Sequence, residues 1–121
     1  MDLLEQSSAW LDDQRRRFLS RPVTYSRTGD SAEVLATVGR TTFDVTDEYG
    51  ISQHWESRDY LVLASDLAAF GLPQRGDRIT ETVGGETLVY EVMAPGGETP
   101  WRWSDAYRRT LRIHTKQVGT A

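Results

Sequence analysis

Arg78-Ile79-Thr80-Glu81-Thr82-Val83, then Gly84-Gly85, then Glu86-Thr87-Leu88-Val89-Tyr90-Glu91-Val92-Met93 is the stretch that decides the fold. Both flanks are rich in β-branched residues, and Leu88, Tyr90 and Val92 fall on one parity. Two glycines between alternating runs form a two-residue hairpin connection. Pro73-Gln74-Arg75-Gly76-Asp77 reads as the turn that feeds the first strand. Downstream, residues 94–104 are rich in Pro and Gly and read as a loop. Tyr107 to Val118 then alternates again, with Leu111 and Ile113 on one side and Arg112 and His114 on the other.

Working back toward the N-terminus, Val23, Tyr25 and Arg27 alternate with Thr24 and Ser26, and Thr28-Gly29-Asp30-Ser31 reads as a turn. From Glu33 to Val45 the apolar parity switches. Val34, Ala36 and Val38 give way to Thr41, Phe43 and Val45, which predicts a bulge or bend near Gly39. Residues 46–57 show no clear period and read as a long polar loop, a feature that is often functional in a small domain. A short strand follows around Tyr60-Leu61-Val62-Leu63. One helical turn over Ser65 to Phe70 is expected next, capped by Ser65 or Asp66 and ended by Gly71. Leu4, Leu11 and Phe18 recur at sevenfold spacing, with Leu3 and Trp10 beside them, which predicts a helix over residues 2–19. Arg21-Pro22 stops it.

These elements predict one domain over residues 1–121. It comprises an N-terminal helix at 2–19 and a β-domain at 22–118 with loops at 46–57 and 94–104. The fold class is mainly β (α+β), a small antiparallel β-sandwich or barrel of about six strands. The helix stripe packs on its own sheet, covers an open end, or meets a neighbour.

The chain has 121 residues and a mass of 13.7 kDa, enough for one modest core. Four Trp, five Tyr and three Phe argue against disorder. No apolar run approaches the roughly 20 residues of a membrane span, and Met1 to Gln6 lacks the pattern of a secretion signal. The absence of cysteine excludes disulfides, thiol nucleophiles and Cys-ligated metal. A net charge of -4 and a pI of about 5.1 weigh against extended nucleic-acid binding.

The search for chemistry returns little. Gly84-Gly85 and Gly96-Gly97 lack the Lys-Ser/Thr of a phosphate-binding loop, so no nucleotide cofactor is expected. No Gly-x-Ser-x-Gly elbow is present, and His114 reads as a surface or rim strand residue. Asp44, Asp47, Glu48 and His54 hold the donor types for a metal-assisted hydrolase, without ligand spacing to support one. Arg75-Gly76-Asp77 spells an adhesion tripeptide but reads as a tight turn. Trp101-Arg102-Trp103 has three readings: core caps, a contact patch, since Trp and Arg concentrate at interface hot spots, or a nucleic-acid stacking surface, which the acidic balance counts against. Together with Tyr49, His54 and Trp55 in the 46–57 loop, these residues are the candidate interface. No catalytic, cofactor or metal residues are assigned.

Leu72-Pro73-Gln74-Arg75-Gly76-Asp77-Arg78-Ile79, then Glu86 to Val92, then Trp101-Arg102-Trp103-Ser104-Asp105-Ala106-Tyr107 through Lys116 form an ordered series. This series resembles the small head–tail joining proteins of tailed bacteriophages and prophages, the group related to those of lambda-like phages. The similarity covers most of residues 58–117, and the helix and first strands fit by order only. The resemblance implies a non-catalytic structural protein of the virion, made in the bacterial host cytoplasm and placed at the head–tail junction as a ring-forming adaptor or stopper. Its implied partners are the portal or adaptor ring of the head, the tail terminator or tail tube, and copies of itself, with non-specific proximity to DNA in the channel and no membrane. The rival expectation is a small β-barrel that binds a ligand or peptide, with Tyr49, Trp55, Trp101 and Trp103 lining its pocket.

Overall fold

The computed structural model describes residues 3–18, 20–95 and 98–120. The two ends of the predicted helix, residues 2 and 19, and Gly96-Gly97 lie outside the described residues. Alternation along the chain becomes seven strands: β1 (Arg21–Arg27), β2 (Asp30–Thr46), β3 (Ser52–Leu63), β4 (Arg78–Val83), β5 (Glu86–Val92), β6 (Trp101–Trp103) and β7 (Thr110–Thr120). One helix, α1 (Leu3–Phe18), precedes them.

Every pairing is antiparallel. β1 pairs with β2, β2 with β3, β3 with β7, β7 with β5, β5 with β4, and β4 returns to β1. The sheet therefore closes on itself, and the fold is a barrel rather than a sandwich. Closure removes most of the strand edges that a flat sheet would leave unpaired. The β4–β5 hairpin turns at Gly84 (φ 57°) and Gly85 (φ 86°), the left-handed pair that a two-residue connection requires. A seventh strand, β6, arises inside the expected 94–104 loop and lies on β7, with Trp101 opposite Ile113 and Trp103 opposite Leu111.

Inward-pointing residues form one core. Val23 and Tyr25 of β1, Tyr60 and Val62 of β3, Ile79 of β4, and Leu111 and Ile113 of β7 are all buried. Burying a large apolar side chain of this kind contributes about 1.5–3 kcal/mol. Leu67, on the 3-10 turn Ala64–Leu67, is fully buried in the same cluster. The expected Ser65 or Asp66 cap does not form: the residue preceding the turn is Leu63 and no side chain caps it. So short a turn is held by Leu67 burial and the Ala64 N–H to Arg109 carbonyl bond at 2.9 Å.

The bulge expected at Gly39 is absent. The register runs unbroken through Val38–Tyr60, Gly39–Asp59 and Arg40–Arg58. A register shift occurs instead between β5 and β7, where Val89 faces Gly119 and Tyr90 faces Gln117. The parity switch in β2 has a different cause. Even-numbered Val34 and Ala36 fill the barrel, whereas odd-numbered Thr41 and Phe43 cover a second cluster on the other face of the sheet. Gly39 sits where the two meet. A Cβ there would lie 3.3 Å from Nη1 of Arg112 and 3.4 Å from Cδ1 of Leu61. Gly39→Val is expected to destabilise the protein by about 1–3 kcal/mol through overpacking, measured by urea unfolding, with a smaller loss for Gly39→Ala.

The predicted loop at 46–57 shrinks to residues 47–51. Thr46 ends β2, residues 47–51 form a tight turn, and residues 52–57 begin β3. The apolar/polar period is weak here because neither face of this hairpin is fully buried, so burial imposes no alternation. Helix α1 contacts β2 but leaves Leu3, Leu4, Trp10 and Leu11 exposed, so these side chains do not pack on the protein's own sheet. Among the described residues, no helix is long and apolar enough to cross a membrane.

Candidate functional site

Strand β2 pairs with β1 only up to Ala36, and β3 pairs with β7 only from Arg58 onward. Between those points β2 and β3 hold each other alone, from Thr41–Ser57 to Thr46–Ser52. Six residues at about 3.3 Å each make an arm roughly 20 Å long. Its tip is well defined. Oδ1 of Asp47 accepts the N–H groups of Tyr49 and Ile51 at 2.9 Å each, and the Gly50 N–H reaches the Asp47 carbonyl at 3.1 Å.

Three of the six candidate interface residues lie on this arm. Tyr49, at the tip, is 81% exposed. His54 is exposed and its Nδ1 bonds Asp44 across the strand pair. Trp55 is opposite Phe43 and remains 42% exposed. The other three lie on β6. Trp101 and Trp103 meet edge-on, with ring centroids 5.2 Å apart, and both pack half-buried against the core. Arg102 alternates outward between them and is exposed. The two tryptophans thus cap the core, while Arg102 faces out.

Where the arm leaves the barrel there is an open cavity of about 470 Å³, lined by Val38, Gly39, Arg40, Glu56, Ser57 and Arg58. None of Tyr49, Trp55, Trp101 and Trp103 lines it. Arg40 and Arg58 oppose each other directly across β2 and β3. Like charges in that position repel. Arg58 is neutralised by Glu81, with Nη2 at 2.9 Å from both carboxylate oxygens, and its guanidinium lies 4.9 Å over the Tyr90 ring. Arg40 has no ion-pair or hydrogen-bond partner for its side chain among the described residues.

Three carboxylates among the described residues are buried: Glu81, Asp77 and Asp59. Glu81, inside the barrel, accepts from Arg21 at 2.7 Å, Arg58 at 2.9 Å and the Tyr60 hydroxyl at 2.6 Å. Burial pushes its pKa up, but the Tyr60 and Arg58 bonds outweigh this and hold it below the usual range. The Tyr60 hydroxyl is itself pushed up, by burial and then by the Glu81 carboxylate. Asp77 accepts Nε and Nη2 of Arg27 at 2.9 and 2.8 Å, the Gln74 N–H at 2.9 Å, and the Tyr25 hydroxyl. Arg27 continues to the carbonyls of Phe70 and Leu72, at 2.6 and 2.9 Å. The Arg75-Gly76-Asp77 tripeptide is therefore a lock between β1 and the connection before β4, with its aspartate buried.

The third carboxylate, Asp59, corrects the reading of His114. His114 is 2% exposed, and its Nδ1 lies 3.0 Å from Oδ1 of Asp59. The acceptor-only carboxylate makes Nδ1 the donor. Ser57 Oγ donates to the same Oδ1 at 2.5 Å, Arg112 Nη1 reaches Oδ2 at 2.8 Å, and the Thr41 hydroxyl also donates to Oδ2. Ser57, His114 and Asp59 are the residue types of a hydrolytic triad, but the wiring differs. In a triad the serine bonds the ring nitrogen opposite the one held by the aspartate. Here both donors converge on one carboxylate oxygen, and Ser57 is buried. The cluster pins the base of the arm to β7.

Burial raises the pKa of Asp59, and the bonds from His114, Ser57, Thr41 and Arg112 more than offset it, holding the group at about 2 against an ordinary 3.8. A carboxyl lowered on folding adds stability above pH 3.8 that is lost as pH falls through about 2. The unfolding free energy is therefore expected to drop by about 2 kcal/mol between pH 4 and pH 2 on this account. Acid titration of the urea midpoint measures it, and Asp59→Asn should shrink the drop.

The proposed hydrolase set does not assemble. Asp44 and His54 meet, Asp47 is used in its own turn, and Glu48 points away exposed. Among the described residues no three His, Asp or Glu side chains converge as a metal ion requires. Sequence reading missed Asp59 and Glu81. The available signal was an acid at a position whose alternating neighbours are apolar, as in Ile79-Thr80-Glu81.

No curated protein matches the chain. The family model described as phage head-tail joining protein matches residues 1–121, and the chain belongs to that family.

Proposed function

We propose that this chain works as a single domain at the head–tail junction, as a non-catalytic ring-forming adaptor or stopper. Family membership makes it a structural protein of the phage virion that meets head and tail components. The finer reading seats it between the portal or adaptor ring of the filled head and the tail terminator or tail-tube proteins, after synthesis in the host cytoplasm. The observation that carries this reading is the arm: about 20 Å of paired strand, roughly a subunit radius, anchored at its base and carrying exposed aromatics further out. Such a projection offers surface to a neighbouring subunit. Tyr49, His54 and Trp55 on the arm and Arg102 on β6, backed by Trp101 and Trp103, form the proposed contact surface.

Electron microscopy of lysates from a phage or induced prophage lacking this gene tests the reading. Separate DNA-filled heads and finished tails, restored to whole particles by added purified protein, are expected. Normal infectious particles from the deletion would remove the joining role.

A further inference from the structure

We propose that the arm tip of one copy, Glu48 and Tyr49, seats in the arm-base cavity of the next copy, against Arg40. This inference rests on the ring reading above and names its subunit contact. Glu48 is exposed, Tyr49 is the most exposed large apolar-bodied side chain described, and the tip is held in shape by Asp47. A carboxylate and an aromatic ring are thus presented together, both exposed, on a defined turn. The cavity offers the complement. Arg40 is a cation without a partner among the described residues, Val38 and Gly39 give an apolar wall, and Glu56 supplies an acceptor for a tyrosine hydroxyl.

The charge on Arg40 points the same way. Glu81 answers Arg58 and Arg21 but does not bond Arg40, so an incoming carboxylate would supply a counter-charge that the described residues do not give it. A chain's own Glu48 cannot be that carboxylate. Tip and base of one arm stand about 20 Å apart along a paired hairpin. A second copy can supply it, since tip-to-base contact is head-to-tail, and heterologous contacts of that kind close into rings when the rotation permits. Nucleic acid is the weaker occupant, because the net charge of the chain is -4.

The cysteine-free chain makes the test direct. Glu48→Cys and Arg40→Cys are combined in one chain and oxidised, both as purified protein at high concentration and in particles formed by complementing the deletion. A disulfide ladder of dimers, trimers and larger species is expected. A cross-link only to a different virion protein, or no cross-link in either sample, overturns the proposal. Charge reversal gives the second arm. Glu48→Arg and Arg40→Glu should each cut restored infectious particles by roughly tenfold or more, and the double reversal should recover most of the loss. Both side chains are exposed, so thermal melting should match the parent. Full joining by both single variants overturns the contact while leaving the joining role intact. Unimpaired particles from the gene deletion would instead remove the joining role, and the ladder in purified protein still decides the contact.

Discussion

Replacing Glu81 with alanine is expected to be the most damaging single change in the barrel, lowering stability by about 3–5 kcal/mol. The carboxylate side chain is fully buried and takes bonds from Arg21, Arg58 and Tyr60. Removing it leaves the Tyr60 hydroxyl and Nη2 of the part-buried Arg58 without their acceptor. Burial of an unmatched charge, rather than the lost attraction, sets the size of the effect. Arg58 cannot turn fully to water, because its guanidinium is stacked 5.5 and 4.9 Å over Tyr60 and Tyr90. Arg21→Ala should cost about 1 kcal/mol or less, since nearly half of the Arg21 side chain is in water. Urea unfolding of the two variants checks the contrast. A Glu81→Ala loss no larger than that of Arg21→Ala would show that the barrel interior tolerates the unpaired charge.

Asp59→Ala is expected to follow closely, at about 3 kcal/mol or more, which for a chain of this length lowers the melting temperature by roughly 10 °C or more. Four donors lose their acceptor: Ser57, His114, Thr41 and Arg112. Three of the elements concerned, β2, β3 and β7, meet at the point where the arm leaves the barrel. The loss should therefore appear locally as well as globally. Amide exchange across residues 40–46 and 52–57 should quicken by more than in Glu81→Ala, whose network lies inside the barrel. Equal exchange in the two variants would mean that the Asp59 cluster does not hold the arm. Particle yield in the complementation assay should also fall further for Asp59→Ala than for Glu81→Ala at a temperature where both remain folded.

Much of the barrel is legible in the residues. The Gly84-Gly85 hairpin, the alternation in β7 and the Val23/Tyr25 parity each follow from local rules, because a half-buried strand must repeat every two residues. The arm was illegible for the same reason. Phe43 and Trp55 face each other across it, yet neither face is sealed, so no period marks Thr46 to Ser57 as strand. Likewise, Thr41 and Phe43 look like a broken core parity. They are an intact strand whose other face has acquired a polar cluster. His114 shows the limit most plainly. As one letter in an alternating run it is a rim residue, and only the pairing of Asp59 with His114 across β3 and β7 makes it a buried donor.

The six candidate interface residues divide along the same line. Trp101-Arg102-Trp103 announces itself by composition, and strand alternation already separates the two rings from the arginine. That Tyr49, His54 and Trp55 ride on one projecting arm depends on where β1 and β7 stop pairing.

Local alternation, turn chemistry and composition determined by themselves that this is a small, mainly β protein with an N-terminal helix and no cysteine chemistry, since each of those follows from neighbours in the chain. Barrel closure, the arm and the buried carboxylate clusters were decided only by tertiary structure. Each joins residues tens of positions apart, as Asp59 joins Arg112 and Glu81 joins Arg21. No local energy term carries such a pairing until the strands have met.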